Sequence, residues 1–269
     1  MNKETEYIEV KRKSWNKRTE AHYNSKFYDV EAFLQGNSSL HEIELGLLGD
    51  VRNKRILHLQ CHFVQDTLSL SRMGAIVTGV DLSDKAIDRA RELTLRAGLE
   101  ATFICSDIYE LEKHLDGEFD IVFTSYGTIG WLPDLDRWGK LISRYLKPGG
   151  QLVCAEFHPV VWMFDDQFSR IAYSYFNTGP ILESEEGTYA DRTAPISQEY
   201  VMWNHSMSEV ITNLIQSGLE LQSFHEFDYS PHNCFLETTE VAPKQFQVMK
   251  HEGRIPMVYA LSARKKASR

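Results

Sequence analysis

Between residues 55 and 157 short apolar runs alternate with segments of helical periodicity, and few architectures accept that pattern. Residues 55–60 (RILHLQ), 76–81 (IVTGVD), 101–105, 119–124 (FDIVFT) and 151–157 read as strands. Residues 65–74 carry Leu68, Leu70 and Met73 before Gly74 and read as a helix. Ser83 opens a second helix, in which Ala86, Ile87, Ala90, Leu93 and Ala97 recur at helical spacing before Gly98 stops it. A third, 135–146, ends in Lys147-Pro148-Gly149-Gly150, which suits a type II turn because only glycine accepts the positive φ at its third place. Strands alternating with helices at this spacing imply a doubly wound, mostly parallel α/β sheet with helices on both faces. Later, Ser206-x-x-Glu209 reads as a capping box, followed by the stripe Val210, Ile211, Leu214, Ile215, the stop Gly218, and two last strands, 219–227 and 256–262. The total is seven strands.

Two segments lie outside this alternation. Residues 159–204 are rich in aromatics and alternate in IAYSYFN and SQEYVMW, which predicts a small antiparallel cap inserted into the sheet domain. The segment before Leu40 reads as a helical arm carrying Trp15, Tyr23, Phe27 and Tyr28. The expected organisation is therefore an arm (1–39), a ligand-binding core (40–158), a substrate cap (159–204) and the completion of the sheet (205–269).

Composition removes other classes. The net charge is −9, so nucleic acid is not an expected partner, although residues 1–26 are locally basic. No apolar run is long enough to span a membrane, and MNKETEYIEVKRK is too charged for a secretory signal. Cys61, Cys105, Cys154 and Cys234 form no C-x-x-C pair, which points to a reducing cytoplasm, and the scattered histidines have no metal-site spacing.

Ligands of an open parallel sheet bind beyond the carboxyl ends of its strands. Asp81 follows the second strand, 21 residues past Gln60, the usual interval for an acid that accepts from two ribose hydroxyls. Asp107 follows the third, placed to accept from an adenine amine. Either carboxylate also suits a helix N-cap, Asp107 for a short helix over 108–115.

The runs LHLQCHFVQDTLSLSRMGA, VTGVDLS, FICSDIYEL, FDIVFTSYG and YLKPGGQLVCAEFHP resemble the core of class I S-adenosylmethionine-dependent methyltransferases, over residues 55–157. The likeness is nearest to a bacterial small-molecule subgroup with a QCHF-type loop. It implies a Rossmann-like seven-stranded sheet and S-adenosylmethionine as cofactor. The usual loop is D/E-x-G-x-G-x-G. Here His58 stands at the acidic place, and Gln60, His62 and Val64 stand at the glycine places. A dinucleotide needs those glycines because its pyrophosphate sits on backbone N–H groups. S-adenosylmethionine carries no phosphate, so an NAD-linked oxidoreductase suffers more from their loss than a methyltransferase does.

The resemblance assigns Gln60, Cys61 and His62 to the methionine part, Asp81 to the ribose and Leu82, with Ser83 beside it, to the adenine face. Ser106, Asp107 and Ile108 frame the adenine, and Ser125 and Tyr126 face the amine and sulfonium. The implied activity is in-line methyl transfer to a small-molecule acceptor, in which positioning supplies most of the acceleration. His158, after the fifth strand, is the first candidate for a base, with His232 and Cys234 behind it. Trp15, Tyr23, Trp131, His158, Trp162 and Trp203 are expected around the acceptor. A non-catalytic sensor of S-adenosylmethionine or a nucleoside remains the alternative of another class.

Overall fold

The computed structural model describes residues 3–267; the outermost two residues of the expected arm and of the last segment lie outside them. Helices α1 (Lys3–Tyr23), α2 (Val30–Leu34) and α3 (Glu42–Leu48) precede the sheet. There follow β1 (Arg55–Leu59), α4 (Gln65–Arg72), β2 (Ile76–Asp81), α5 (Asp84–Ala97), β3 (Thr102–Cys105), β4 (Phe119–Ser125), α6 (Leu135–Tyr145) and β5 (Leu146–Phe157). The remainder comprises β6 (Ile181–Glu186), β7 (Ser197–Met202), α7 (Met207–Gln216), β8 (Leu219–Phe227), β9 (Thr238–Ala242), β10 (Gln245–Val248) and β11 (Val258–Lys265).

Seven strands form one sheet in the order β3-β2-β1-β4-β5-β11-β8. β11 runs antiparallel to both neighbours and the other pairs are parallel, as the alternation predicts. The period of two along each strand decides which face a residue serves. Leu57, Leu59, Val122 and Leu152 pack with Trp138, Ile142 and Leu214 of α6 and α7. Ile56, Val77, Ile121, Phe123 and Val153 turn the other way, onto Leu48 and Leu70. Ser83 caps α5 by accepting from Ala86 N, and Gly98 (φ 63) ends it. Gly149 takes φ 80 in the turn before residue 151, and a Cβ on Gly150 would meet three carbonyl oxygens at 3.0–3.1 Å.

Local differences have simple causes. Residues 171–177 do not form a strand. Ile171 and Phe176 are exposed, so the alternation in IAYSYFN has no surface to bury, and β7 pairs instead with β6. The expected helix 108–115 is a 3-10 helix, Ile108–Lys113. At α7 only half of the capping box forms, because Glu209 turns to His205 Nδ1 (2.9 Å). The hairpin β9–β10 lies in a stretch with no strand expectation. No helix among the described residues is long and apolar enough to cross a membrane.

Candidate active site

The turn after β1 enters the left-handed region at alternate residues: Gln60 (φ 55), His62 (φ 49) and Val64 (φ 77). These are the three glycine places of the family loop. The chain keeps the conformation without the residue that adopts it freely, at roughly 1–2 kcal/mol for each L-residue. Hydrogen bonds hold the turn in place: Cys61 N donates to Val80 O (2.9 Å), Val64 N to Cys61 O (3.0 Å) and His62 N to Asp81 Oδ2 (2.8 Å). Gln60 Nε2 donates to Thr128 O (2.9 Å), tying the turn to the segment after β4. The Cys61 side chain points into the sheet, where a Cβ on Gly79 would lie 2.8 Å from its Sγ. Cys61 therefore offers a ligand its backbone only.

Asp81 ends β2 with both carboxylate oxygens engaged, Oδ2 by His62 N and Oδ1 by Ser83 N (2.8 Å). Burial pushes its pKa up to about 6, and the backbone N–H bonds pull against that shift. Leu82 and Ser106 lie beside it, with Ser106 N donating to Asp81 O (2.9 Å). Asp107 Oδ1 accepts from Tyr109 N (2.9 Å), so Asp107 does cap a helix. Its half-buried carboxylate also borders a 310 Å³ cavity lined by Lys11, Tyr109, Arg137 and Trp203, among others. The Ile108 side chain belongs to the core.

Helix α1 lies across these strand ends. Ser83 Oγ donates to Asn16 Oδ1 (2.6 Å), Asn16 Nδ2 to Asp84 Oδ1 (2.7 Å), and His22 Nδ1 pairs with His62 Nε2 (2.9 Å). Trp15 packs edge-on against both His62 and Trp131, at 5.1 and 5.2 Å between centroids. Arg18 sits against Trp15, Trp131 and Tyr200 and pairs with Glu185 on β6 (2.7 Å). Trp15 and Trp131 thus meet beside the turn after β1. Tyr23 does not join them: it packs on Phe63 beneath the Arg89 guanidinium, its hydroxyl accepting from Arg96, which makes it a docking residue of the arm. Trp203 borders the 310 Å³ cavity, and Trp162 packs against Phe157 and Phe235.

The ends of β4 and β5 carry the remaining polar groups. Ser125 Oγ donates to Asp66 Oδ2 (2.9 Å), and the Tyr126 hydroxyl donates to Glu44 Oε2 (2.7 Å). Glu44 is fully buried and close to Asp66, which raises its pKa to about 7. Glu156 accepts from Thr128 N, Ile129 N and Thr128 Oγ1 (2.6–2.9 Å) and also from Gly127 N, fixing the segment after β4. The expectation for His158 needs correction. Its Nε2 lies 2.9 Å from Glu226 of β8, and its Nδ1 accepts from Val160 N (3.2 Å). Both nitrogens are taken, so its geometry is that of a structural histidine. Sequence reasoning missed Asp66 and Glu44. Asp66 immediately follows the turn in sequence, but nothing in its spacing separates it from an ordinary first-turn acid.

The turn matches an adenosyl-sulfonium ligand better than a dinucleotide. The N–H groups of Cys61, His62 and Val64 are all bonded within the protein, leaving them unavailable to a pyrophosphate. Meanwhile Gln60 Oε1, His62 Nδ1, His22 Nε2 and two nitrogens of Arg18 are buried at this junction without a hydrogen-bond partner. Orphaned polar atoms gathered at one place point to a ligand.

Residues 57–154 match the family described as "Methyltransferase domain". The chain carries a class I methyltransferase domain. S-adenosylmethionine is the cofactor of this methyltransferase. A curated ubiquinone biosynthesis O-methyltransferase of Bordetella pertussis is 25% identical over 211 residues, 77% of this chain and 80% of that protein. The fold matches an S-adenosylmethionine-dependent methyltransferase structure from Mesorhizobium loti with a TM-score of 0.61 at 24% identity, covering 86% of this chain and 100% of that one. A second, described as putative, from Listeria monocytogenes, matches with a TM-score of 0.57 at 19% identity, covering 83% and 98%.

Proposed function

We propose that the methyltransferase acts on a small organic acceptor. One observation carries this reading: the arm crosses the strand ends, packs on β7 and is pinned to the β6–β7 hairpin by Arg18–Glu185 (2.7 Å), so the strand ends are covered rather than presented as an open face. The net charge of −9 supports it against nucleic acid.

When bound, the cofactor supplies an electrophilic methyl on a sulfonium that leaves as a neutral thioether. The chain's residues bind, orient and exclude water. Asp81 would accept from the ribose, Leu82 would cover the adenine and Ser106, Asp107 and Ile108 would edge it. Gln60 and His62, with the Cys61 backbone, would line the methionine part. Ser125 and Tyr126 stand at the reacting end. Asp66 would supply the carboxylate that the family loop places at position 58, since His58 is neutral and bonded to Thr67 (2.8 Å). Aromatic faces around this end favour a cationic sulfonium.

Incubation with methyl-labelled donor and a cell metabolite extract, followed by mass spectrometry, tests the proposal. Label in the small-molecule fraction is expected. Label confined to protein or nucleic acid would overturn it.

A further inference from the structure

The loop after β8 brings His232, which the sequence ranks behind His158 as a base, to the end of β4, where the comparisons assign no role. Its main chain is tied by Ser230, whose Oγ accepts from His232 N (3.1 Å) and donates to His232 O (2.8 Å). The ring is held edge-on by His41 (4.5 Å) and Tyr126 (4.8 Å) and stacks on Phe27 of the arm (5.9 Å). Three separate segments therefore fix one imidazole against the residue that follows Ser125. Of the other histidines near these strand ends, His41 packs edge-on against the His232 ring, and the rest are committed: His58 to Thr67, His22 and His62 to each other, His158 to Glu226 and His205 to Leu132 O and Glu209. The His232 ring makes no hydrogen bond among the described residues.

We propose that His232 is the base that takes the acceptor's proton, and that the acceptor group is a neutral hydroxyl on an apolar, ring-sized body. This rests on the small-acceptor reading above. As the acceptor oxygen forms the new C–O bond, the C–S bond breaks and its electron pair returns to sulfur. The hydroxyl proton passes to a ring nitrogen of His232. A neutral hydroxyl and a neutral imidazole become a neutral ether and an imidazolium, which now holds the charge that the sulfonium gave up.

The surroundings suit both ends of that step. Crowding by rings strips water from His232 and pushes its pKa down to about 3, with His41 and Lys244 acting in the same direction, so the proton-accepting form is the resting one. Asp66 faces the ring from α4 and favours the imidazolium once formed. Glu44 reaches this group only through Tyr126, and Cys234 stands in the same loop with a thiol kept protonated by burial. A weak base suffices because a hydroxyl attacking a methyl becomes strongly acidic as the bond forms. A carboxylate acceptor would need no base. Phe157, Trp162 and Phe235, 4.9–5.8 Å apart beside Tyr126, supply an apolar wall.

The test uses the full chain, labelled S-adenosylmethionine and two probes at mildly alkaline pH: phenol, which still keeps its proton there, and 4-nitrophenol, which is largely ionised. In His232→Gln, transfer to phenol should fall on the order of 10²–10⁴-fold. Transfer to 4-nitrophenolate should stay within about threefold of the parent, because an anion has no proton to give up. The variant's rate on phenol should climb with pH as the probe ionises, while calorimetric affinity for S-adenosylhomocysteine stays unchanged. Equal losses on both probes would make His232 structural and overturn the proposal. So would failure of the parent to methylate either phenol, or label from the extract found only on nitrogen, sulfur or carbon of a small molecule. Label found only in macromolecules would instead refute the small-acceptor reading.

Discussion

The left-handed turn after β1 makes a prediction whose sign runs against ordinary experience. At a regular position alanine is more stabilising than glycine by roughly 0.5–1 kcal/mol. Gln60 is half-buried at φ 55, so the comparison there is free of a large core term. Gln60→Ala and Gln60→Gly both remove the bond to Thr128 O, worth about 1 kcal/mol, and both remove the same distal side chain. Only glycine also relieves the left-handed strain, about 1–2 kcal/mol. Against that stands the extra freedom it gives the unfolded chain, about 0.4–1 kcal/mol. The net expectation is that Gln60→Gly exceeds Gln60→Ala in stability by roughly 0.5–1 kcal/mol and lies close to the parent. Urea unfolding at constant slope reads this as a higher midpoint for the glycine variant. An alanine variant equal to or above it would show that the turn relaxes out of the left-handed region in solution. The correspondence between residues 60, 62 and 64 and the family's glycines would then fail.

Asp81→Ala should weaken S-adenosylhomocysteine binding more than tenfold in calorimetry, and unchanged affinity would remove the ribose assignment. Because burial raises the Asp81 pKa to about 6, the folded state holds its proton above the pH at which the unfolded chain loses it. This group's contribution to stability should therefore fall as pH rises from about 4 to 6, seen as a smaller fall in midpoint for Asp81→Asn over that window. His158→Ala should lower stability, through loss of the Glu226 and Val160 bonds, and leave methyl transfer within about threefold. A transfer loss of a hundredfold or more in His158→Ala, with unchanged stability, would restore it as the base.

The sheet was legible because its signal is local: a period of two in each strand, a period near 3.6 between strands, and capping residues such as Ser83 and Gly98 at the joints. The positions of Asp81, Asp107, Ser125 and Tyr126 at or just beyond strand ends were legible for the same reason, since that is the edge at which such a sheet takes its ligands. What stayed hidden depends on partners distant in sequence. IAYSYFN alternates as well as ILESEE does, and only the pairing with β7 distinguishes them. His158 and His232 both stand at cleft-facing loops in the sequence. A carboxylate on β8, reached across β11, engages one, and rings from three segments clamp the other. No pattern within either segment carries that information.

The substitutions at the glycine places also bear on how the cofactor enters. Glycines there would reach nothing, whereas Gln60 bonds to Thr128 and His62 meets His22 and Trp15 of the arm. Side chains that strain the turn therefore latch the arm over it. The arm itself docks through a polar face, burying Lys11, Ser14, Arg18, Thr19 and His22, groups that water resolvates readily on release. In the latched state Trp15 covers the turn, so cofactor entry and arm release become one event. Cutting the latch in a Trp15→Ala/His22→Ala double variant removes the His22–His62 hydrogen bond and the Trp15 ring contacts with His62 and Trp131, together about 2 kcal/mol or more. That shifts the opening equilibrium by on the order of tenfold or more, and stopped-flow association of S-adenosylhomocysteine should speed by a similar factor. An unchanged or slower association rate would mean that the ligand enters beneath a docked arm and that these contacts do not gate it.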